Sequence, residues 1–438
     1  MSTALLEAEE MTESTAAPVS LLSAGPAATG QEAAWRKFNS IPMPVRTDEA
    51  WRFASVKALD LGTYLQATPV DEATRADLLA RSAGLEKSAG RMVFANDQLL
   101  SREVFSETLN QLGVIWLPLD QAMTEHPDLV AQYFMREDAI LGGQKFAALH
   151  ASQLRTGTFI HVPRGVEIEL PIEAYYWLHG ANSSCFPHTL IVAEDHAKVT
   201  VFDRYESSDA EAPGFACAVN DLWLGTGAQI TYVSTQNWSR QTLGVQINAT
   251  VVGRDAHARS LFAQLGSRHA RSESVSHLRA SGGRSDMLAV TVADGAQEVD
   301  ARTLQIHEAP HASSDLLYKN SLDDTARTIF AGLIRVEPGA HQTDAYQKVR
   351  NLLLSDEAEA NSAPGLEIEA DDVRCTHGAT SGEIEHEELF YLLSRGISKK
   401  AAQRLIVEGF LREPIDRLEQ PAIAESLVEL VRARFARK

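Results

Sequence analysis

Cys375-Thr376-His377, near the end of a long β-rich stretch, has the spacing of a metal-binding pair. In a strand, residues i and i+2 point to the same side, so the thiol of Cys375 and the imidazole of His377 would face one direction together. A thiolate and an imidazole are ligands that suit iron and other borderline metals. Two ligands are only half a site, and a small buried cysteine beside a hydrogen-bonded histidine explains the same residues slightly better.

The other histidines and the acidic runs are weaker signals. His307 and His311 have the four-residue spacing of a helical metal motif, but Pro310 would break that helix, so the segment is interpreted as a loop. The acidic runs at 356–359 and 367–372 lack the Asp-x-Asp-x-Asp-Gly calcium pattern and are interpreted as solvated surface. The sequence also lacks a Walker A loop, a dinucleotide-binding glycine fingerprint and a Gly-x-Ser-x-Gly elbow, so ATP hydrolysis and serine hydrolysis are not expected.

The composition is that of an acidic globular protein. The 438 residues carry a formal net charge of −19, with 44% hydrophobic and 23% charged residues. A surface this negative repels phosphate backbones and anionic lipids, so neither nucleic acid nor a membrane is an expected partner. Three scattered cysteines argue against a disulfide framework and fit a reducing, cytoplasmic compartment. Residues 1–31 lack the pattern of a secretory signal and are expected to form a disordered leader.

Three regions follow this leader. Residues 32–146 have mostly helical spacing with short strand-like stretches, which predicts a helical or mixed N-terminal domain. They include a predicted helix at 69–81 and a predicted strand at 91–100. Residues 147–383 alternate β-branched and aromatic residues, which predicts a mainly β core. Residues 384–438 return to helical spacing and predict a C-terminal helical domain.

One local pattern recurs through the β core: an apolar strand, then a turn that ends in a small residue and Ala. The final alanines are spaced by 31, 28, 40 and 44 residues, at Ala197, Ala228, Ala256, Ala296 and Ala340. Repeated units of this size indicate stacked coils, as in a β-helix or solenoid, each burying its apolar face against its neighbours. A β-sandwich or a cupin barrel has a similar density of strands, and the pattern alone favours the solenoid only slightly.

The C-terminal helical domain is basic from Arg395 onward, against the trend of the whole chain. Ser398 is the predicted N-cap of its second helix, with inward residues at Ala402, Leu405 and Ile406. A basic amphipathic module at the end of a β body suits the docking of a partner. A terminal cap over an exposed β edge explains it equally well.

Several ordered segments resemble the SufB/SufD family of iron–sulfur cluster assembly scaffolds. One is Arg-Thr-Asp-Glu-Ala-Trp-Arg-Phe at 46–53, and another is Phe-Ile-His-Val-Pro-Arg-Gly-Val-Glu at 159–167. The most specific combination is 350–356, then Cys-Thr-His-Gly-Ala-Thr at 375–380, then Leu-Phe-Tyr-Leu-Leu-Ser-Arg-Gly at 389–396. The resemblance implies a parallel β-helix core flanked by helical regions.

Two positions depart from the SufB members of that family. Arg350 stands where they carry their functional cysteine, and Gly378 stands where they carry an acidic residue after the later histidine. The acceptor thiol and the carboxylate are therefore missing, and the chain matches the other branch of the family. That branch implies that His377 contributes a ligand to a nascent cluster, with Cys375 as a weaker second ligand.

The resemblance also implies an assembly of several subunits. A SufB-like paralogue would join through the β-helices, an ABC-type ATPase (SufC) would dock on the C-terminal helices, and a cysteine desulfurase system would provide sulfur. ATP-driven closure of the ATPase would open an interface site for a transient cluster. This chain would be a non-catalytic scaffold that binds no cofactor stably by itself. The resemblance leaves open whether the complex binds a reduced flavin and whether this chain forms a homodimer in isolation. The expected docking residues are Leu389, Phe390, Tyr391, Arg395, Gly396, Leu405 and Phe410.

Two other functions compete with this expectation. A β-helix carbohydrate-active enzyme, or a cupin-like metal-dependent enzyme, would use the scattered carboxylates and histidines. Polysaccharide-cleaving β-helices need a groove of acid and base groups, and the sequence shows no obvious carboxylate pair for that task. A purely structural subunit, with His377 merely buried, is the third candidate.

Overall fold

The computed structural model describes residues 19–23, 25–106 and 108–436. It confirms a mainly β fold whose centre is a parallel β-solenoid, with a mixed region before it and helices after it. The helices are α1 Glu32–Ser40, α2 Glu72–Arg81, α3 Thr108–Gln111, α4 Leu119–Glu125, α5 Pro127–Tyr133, α6 Gln144–Gln153, α7 His386–Ser394, α8 Lys399–Asp416 and α9 Pro421–Ala436. Short 3-10 turns span Glu49–Trp51, Val56–Ala58 and Leu61–Thr63.

The strands form two sheets that face each other across the core. Their bounds are β1 Leu65–Gln66, β2 Gly90–Ala95, β3 Gln98–Val104, β4 Ile115–Pro118, β5 Thr158–Val162, β6 Ile172–Leu178, β7 Ser183–Cys185, β8 His188–Ala193, β9 Lys198–Ser207, β10 Gly214–Leu224, β11 Gln229–Asn237, β12 Thr242–Val252, β13 His257–Gln264, β14 His269–Leu278, β15 Arg284–Ala293, β16 Glu298–His307, β17 Ser313–Leu322, β18 Arg327–Val336, β19 Asp344–Leu353, β20 Glu359–Ile368 and β21 Arg374–Glu383. The first sheet runs β20-β18-β16-β14-β12-β10-β8-β5-β4, and the second runs β21-β19-β17-β15-β13-β11-β9-β6-β2-β3.

Each coil of the solenoid contributes one strand to each sheet, and the register is continuous. Residues paired from coil to coil recur every 27–31 positions, at Lys198, Gln229, His257, Arg284, Ser313, Asp344 and Arg374. The solenoid is therefore confirmed over a sandwich or a cupin barrel. The side chains between the sheets form one elongated core, because a coil can bury its inner face only against its neighbours.

The predicted spacings of 40 and 44 residues are wrong as coil lengths. At Ala197 the chain passes from the first sheet to the second. Ala296 lies at the opposite corner, where the chain passes from the second sheet to the first, and it is exposed. At that corner Gln297 is the buried residue, and its backbone amide donates to the carbonyl of Asp294. The backbone amide of Ala197 donates to the carbonyl of Glu194 in the same way. The predicted repeat of strand, turn and Ala therefore combined turns from two different corners of the solenoid. It also missed coils between them.

The N-terminal region covers one end and one face of the solenoid. The strand predicted at 91–100 is in fact a hairpin, because Asn96 and Asp97 adopt positive φ angles of 47° and 57° and reverse the chain between β2 and β3. The predicted helix at 69–81 begins later, at Glu72, where the side chain of Asp71 accepts a hydrogen bond from the amide of Thr74 at 2.7 Å.

The start of the described chain is packed against this body. Ser20 forms a β-bridge with Leu65, and Leu21 is buried, with its amide donating to the carbonyl of Tyr64. The predicted disorder of residues 1–31 is therefore wrong for this part, since Leu21 joins the apolar core beside Phe215. Residues 1–18 and 24, also part of the predicted leader, lie outside the described residues.

The helical hairpin α8–α9 packs on the second sheet. The buried apolar residues of the hairpin include Val407, Leu411, Ile415, Leu427 and Val431. They share one apolar cluster with Leu261, Leu288, Val290 and Leu317 of the sheet. Of the three residues predicted to point inward, Ala402 is buried, Ile406 is half-buried and Leu405 is 50% exposed, so the prediction for Leu405 is wrong. Within the described ranges, no helix combines the length and the apolar character that crossing a membrane requires.

Candidate functional site

The last coil of the solenoid is uncovered. Strand β20 pairs only with β18, and β21 pairs only with β19; in the described ranges no further strand continues either sheet. The inner face of this coil is consequently open to solvent, and Ile368 at the end of β20 is 42% exposed. We call this surface, formed by β20 and β21, the open end.

Both predicted metal ligands lie on the inner face of β21. The amide of Asn351 donates to the hydroxyl of Ser381 at 3.1 Å and to that of Ser362 on β20 at 3.3 Å, which places Ser381 between the two sheets. Because side chains alternate along a strand, His377 and Cys375 share that inner face with Ser381. The imidazole of His377 is exposed there, since no coil covers it.

The thiol and the imidazole differ in their surroundings. Cys375 is half-buried and packs beside Ile334, Val336 and Ala345 of the preceding coil. Burial, with a smaller effect of the Asp344 carboxylate, raises the pKa of the Cys375 thiol. The thiolate, which is the form that binds metal, is therefore disfavoured in the isolated chain. His377 is the more accessible of the two predicted ligands.

The open end does not complete a metal site by itself. Across the residues that the structure describes, no group of three or more His, Cys, Asp or Glu side chains is placed to hold a metal ion.

The second histidine pair of the sequence is separated by the fold. His307 is the last residue of β16, is buried, and lies 2.9 Å from the hydroxyl of Ser314. His311 lies in the following corner with φ 61°. The segment forms no helix, as Pro310 predicts, but His307 belongs to a strand and not to a loop.

Helix α7 contains two strongly exposed aromatic residues of the predicted docking set. Phe390 is 68% exposed and Tyr391 is 56% exposed, and no residue of α7 is buried. The guanidinium of Arg395 lies 4.8 Å from the centre of the Tyr391 ring. Gly396, with φ 80°, ends the helix.

A cleft of about 870 Å³ separates α7 and α8 from the ends of β19 and β21. It brings together three of the predicted docking residues, Tyr391, Leu405 and Phe410, while Leu389, Phe390, Arg395 and Gly396 lie outside its lining. The rim is acidic, and its carboxylates belong to Glu383, Glu385, Glu387 and Glu388.

Two cationic side chains, those of Lys319 and Arg350, line this cleft, and the sequence patterns did not predict them there. Lys319 is buried; its ammonium group donates to the carbonyl of Phe410 at 2.7 Å and pairs with Glu413 at 2.7 Å. Burial lowers the pKa of Lys319. The guanidinium of Arg350 lies 5.9 Å from the centre of the Phe410 ring. No local pattern could have indicated these contacts, because 91 residues separate Lys319 from Phe410.

Comparison with known proteins identifies the family. The SufBD core domain of the SUF iron–sulfur cluster assembly system matches residues 176–410, and the SufBD N-terminal region matches residues 19–174. The chain belongs to the SufBD family. The resemblance stated from the sequence is confirmed, and so is the association of the fold with iron–sulfur cluster assembly.

Two relatives illustrate how far the similarity extends. The SufBD chain is 31% identical over 348 residues to the iron–sulfur cluster assembly protein SufD of Bacillus subtilis, covering 79% of this chain and 80% of the relative. It is 26% identical over 406 residues to a SufBD family protein of Synechocystis sp., covering 90% and 88%. Both alignments span most of each protein.

Proposed function

We propose that this SufBD protein is a non-catalytic scaffold of the SUF machine that pairs its open end with a SufB-like paralogue. The observation that carries the proposal is the uncovered last coil. Unpaired strand edges and an exposed apolar inner face invite non-specific association, and folded proteins normally cover or blunt them. The open end exposes Ile368 and His377, as expected of a surface that another subunit covers.

His377 is the residue that we propose as a ligand. A neutral imidazole is a good ligand for iron, and the ring is exposed on a surface that a second chain would cover. The paralogue would provide the remaining ligands, and the cluster would be held only transiently, as the product of the assembly. Cys375 is the second candidate, which would bind only after losing its proton. A reduced flavin, which the resemblance leaves open, stays a prediction.

We further propose that α7 and the adjoining cleft dock an ABC-type ATPase of the SufC kind. Exposed aromatic residues such as Phe390 and Tyr391 are frequent anchors in protein interfaces. Because α8 is fixed to β17 through Lys319, Phe410 and Glu413, a shift of the docked helices would be transmitted to the last coils. ATP-driven closure would in this way open the interface for a cluster built from iron and from desulfurase-derived sulfur in the cytoplasm.

The ligand role is tested with His377→Ala in a complex co-expressed with the paralogue and the ATPase. We expect unchanged subunit stoichiometry and at least a tenfold loss of cluster formed under anaerobic conditions, the order of loss typical of groups that hold a metal in place. His341→Ala is the matched control, since His341 is also exposed but lies in a corner loop. Normal cluster formation by His377→Ala would refute the ligand role.

The docking role is tested with the double substitution Phe390→Ser and Tyr391→Ser. Because neither side chain is buried, we expect an unchanged thermal midpoint but loss of the ATPase in a pull-down. Phe105→Ser is the control, since Phe105 is 50% exposed at the opposite end of the solenoid. Full retention of the ATPase by the double variant would exclude α7 as its docking site.

A further inference from the structure

The cleft between the helices α7 and α8 and the solenoid leaves apolar side chains uncovered. Tyr391 is 56% exposed and Leu405 is 50% exposed, and both line the cleft together with Ile406 and Phe410. Exposed apolar side chains that lie together and are rimmed by polar ones mark a site of interaction. With a volume of about 870 Å³, the cleft has room for side chains of another protein.

Four carboxylates on the rim of this cleft lack a counter-charge. They belong to Glu383, Glu385, Glu387 and Glu388, and all four residues are exposed. Within the part of the chain that the structure describes, none of these carboxylates forms an ion pair or accepts a hydrogen bond. Like charges this close in sequence repel one another, so cations provided from outside would be favoured beside them.

The stability of helix α7 accounts for only part of this charge. Glu387 and Glu388 lie in the first turn of α7, where a carboxylate is favourable. Glu385 is the N-cap residue, but its side chain makes no capping hydrogen bond. Glu383 is the last residue of β21 and lies outside the helix. Capping therefore does not explain the carboxylates of Glu383 and Glu385.

The two cations of the cleft lining do not neutralise the rim. The ammonium group of Lys319 already pairs with Glu413 at 2.7 Å, and the guanidinium of Arg350 lies 5.9 Å from the centre of the Phe410 ring. Two cations against four carboxylates leave the lining with a formal excess of two negative charges. The cleft consequently attracts a cationic surface and repels an anionic one.

We infer that this cleft receives a basic surface of the docked partner, in which an apolar side chain enters between α7 and α8 and surrounding Lys or Arg side chains pair with the rim carboxylates. An apolar centre with a charged rim is the usual anatomy of a protein interface. The inference rests on the proposed docking role of α7 and names the chemistry of its partner. A second copy of this chain, with a formal net charge of −19, is a poorer match.

The test measures the Kd of the full chain for the purified ATPase at low and at high salt. Glu383→Gln with Glu385→Gln removes two rim charges at exposed positions, and we expect the Kd at low salt to rise about three- to tenfold and its salt dependence to weaken. Glu425→Gln with Glu429→Gln is the matched control. It makes the same change of net charge at exposed positions of α9, in a different groove, and should leave the Kd unchanged.

Charge reversal provides the second variant. Glu383→Lys with Glu385→Lys replaces attraction by repulsion, so the Kd should rise further than in the Gln variant. A wild-type Kd and salt dependence in both rim variants would overturn the inference, and so would an equal loss in the α9 control. Rim variants that change the self-association of the isolated chain, and not the Kd for the ATPase, would assign the cleft to a second copy and overturn it as well.

The two proposals fail separately. If Phe390→Ser with Tyr391→Ser retains the ATPase, the proposed docking role of α7 itself fails. If that variant loses the ATPase while both rim variants bind as wild type, only the basic character of the partner surface is rejected.

Discussion

The two ends of the solenoid are built differently. At the N-terminal end, β3 runs antiparallel to β2 and β4 runs antiparallel to β5, and their inner residues Phe94 and Trp116 are buried. The guanidinium of Arg102 lies 5.2 Å from the Trp116 ring and links the two sheets. At the C-terminal end the strands are bare, and Ile368 and His377 face solvent. The described chain caps one end of the solenoid with its own strands, whereas the other end has no strand of the described residues over it.

The largest expected difference between the ends is in stability. Phe94→Ala at the capped end should lower the free energy of unfolding of the isolated chain by about 3–5 kcal/mol, because it removes a fully buried ring and leaves a cavity. Ile368→Ala at the open end should cost less than about 1 kcal/mol, because that side chain is already partly hydrated. Urea denaturation of both variants checks this. Equal losses would mean that the open end is covered in the isolated protein, for example in a homodimer.

A similar contrast divides the C-terminal helices. Leu411→Ala, on the buried face of α8, should cost about 2–5 kcal/mol. Leu405→Ala, on the exposed side of the same helix, should change the stability by no more than about 0.5 kcal/mol. Thermal unfolding of the pair distinguishes the face that is packed on the solenoid from the face that is free for a partner. A large loss for Leu405→Ala would contradict its exposure.

A pH-dependent effect is expected from a carboxyl group in the closed part of the core. Asp203 is fully buried and accepts hydrogen bonds from Thr189 at 2.6 Å and Tyr232 at 2.8 Å. Burial raises the pKa of Asp203 to about 7. The folded protein therefore keeps this proton in a range where the unfolded chain, with an ordinary pKa of about 4, has released it.

The sign of the resulting pH dependence follows from linkage. Stability from Asp203 is fully present below about pH 4 and is lost as the pH rises toward about 7, by about 1.4 kcal/mol per pH unit within that window. Asp203→Asn should remove this slope between pH 5 and pH 7 in denaturation experiments. Asp371→Asn, at an exposed position beside the open end, should leave the slope unchanged. An unchanged slope in Asp203→Asn would show that the group is ionised in the folded core.

Sequence patterns located most elements of the core but not its period. The predicted helix at 69–81 overlaps α2 and shares its last residue, Arg81, because helical spacing is locally recognisable. The coil that begins at Arg284 was passed over because Gly283 stands at the turn where earlier coils have Ala, and the coil that begins at Ser313 was passed over although Ala312 stands at its turn. Leu405 was misplaced for another reason: helical spacing shows which residues share a face, but not whether anything covers that face.

The sequence by itself identified the family and, through that resemblance, the solenoid, and it singled out Cys375 and His377 as candidate ligands, because alternation, turn chemistry and ordered motifs are properties of short segments. Only the tertiary structure decided that one end is capped and the other bare, and that Lys319 and Arg350 lie in register along the cleft. These features depend on the alignment of strands about thirty residues apart, which arises from packing the whole stack. A local pattern contains no information about that alignment.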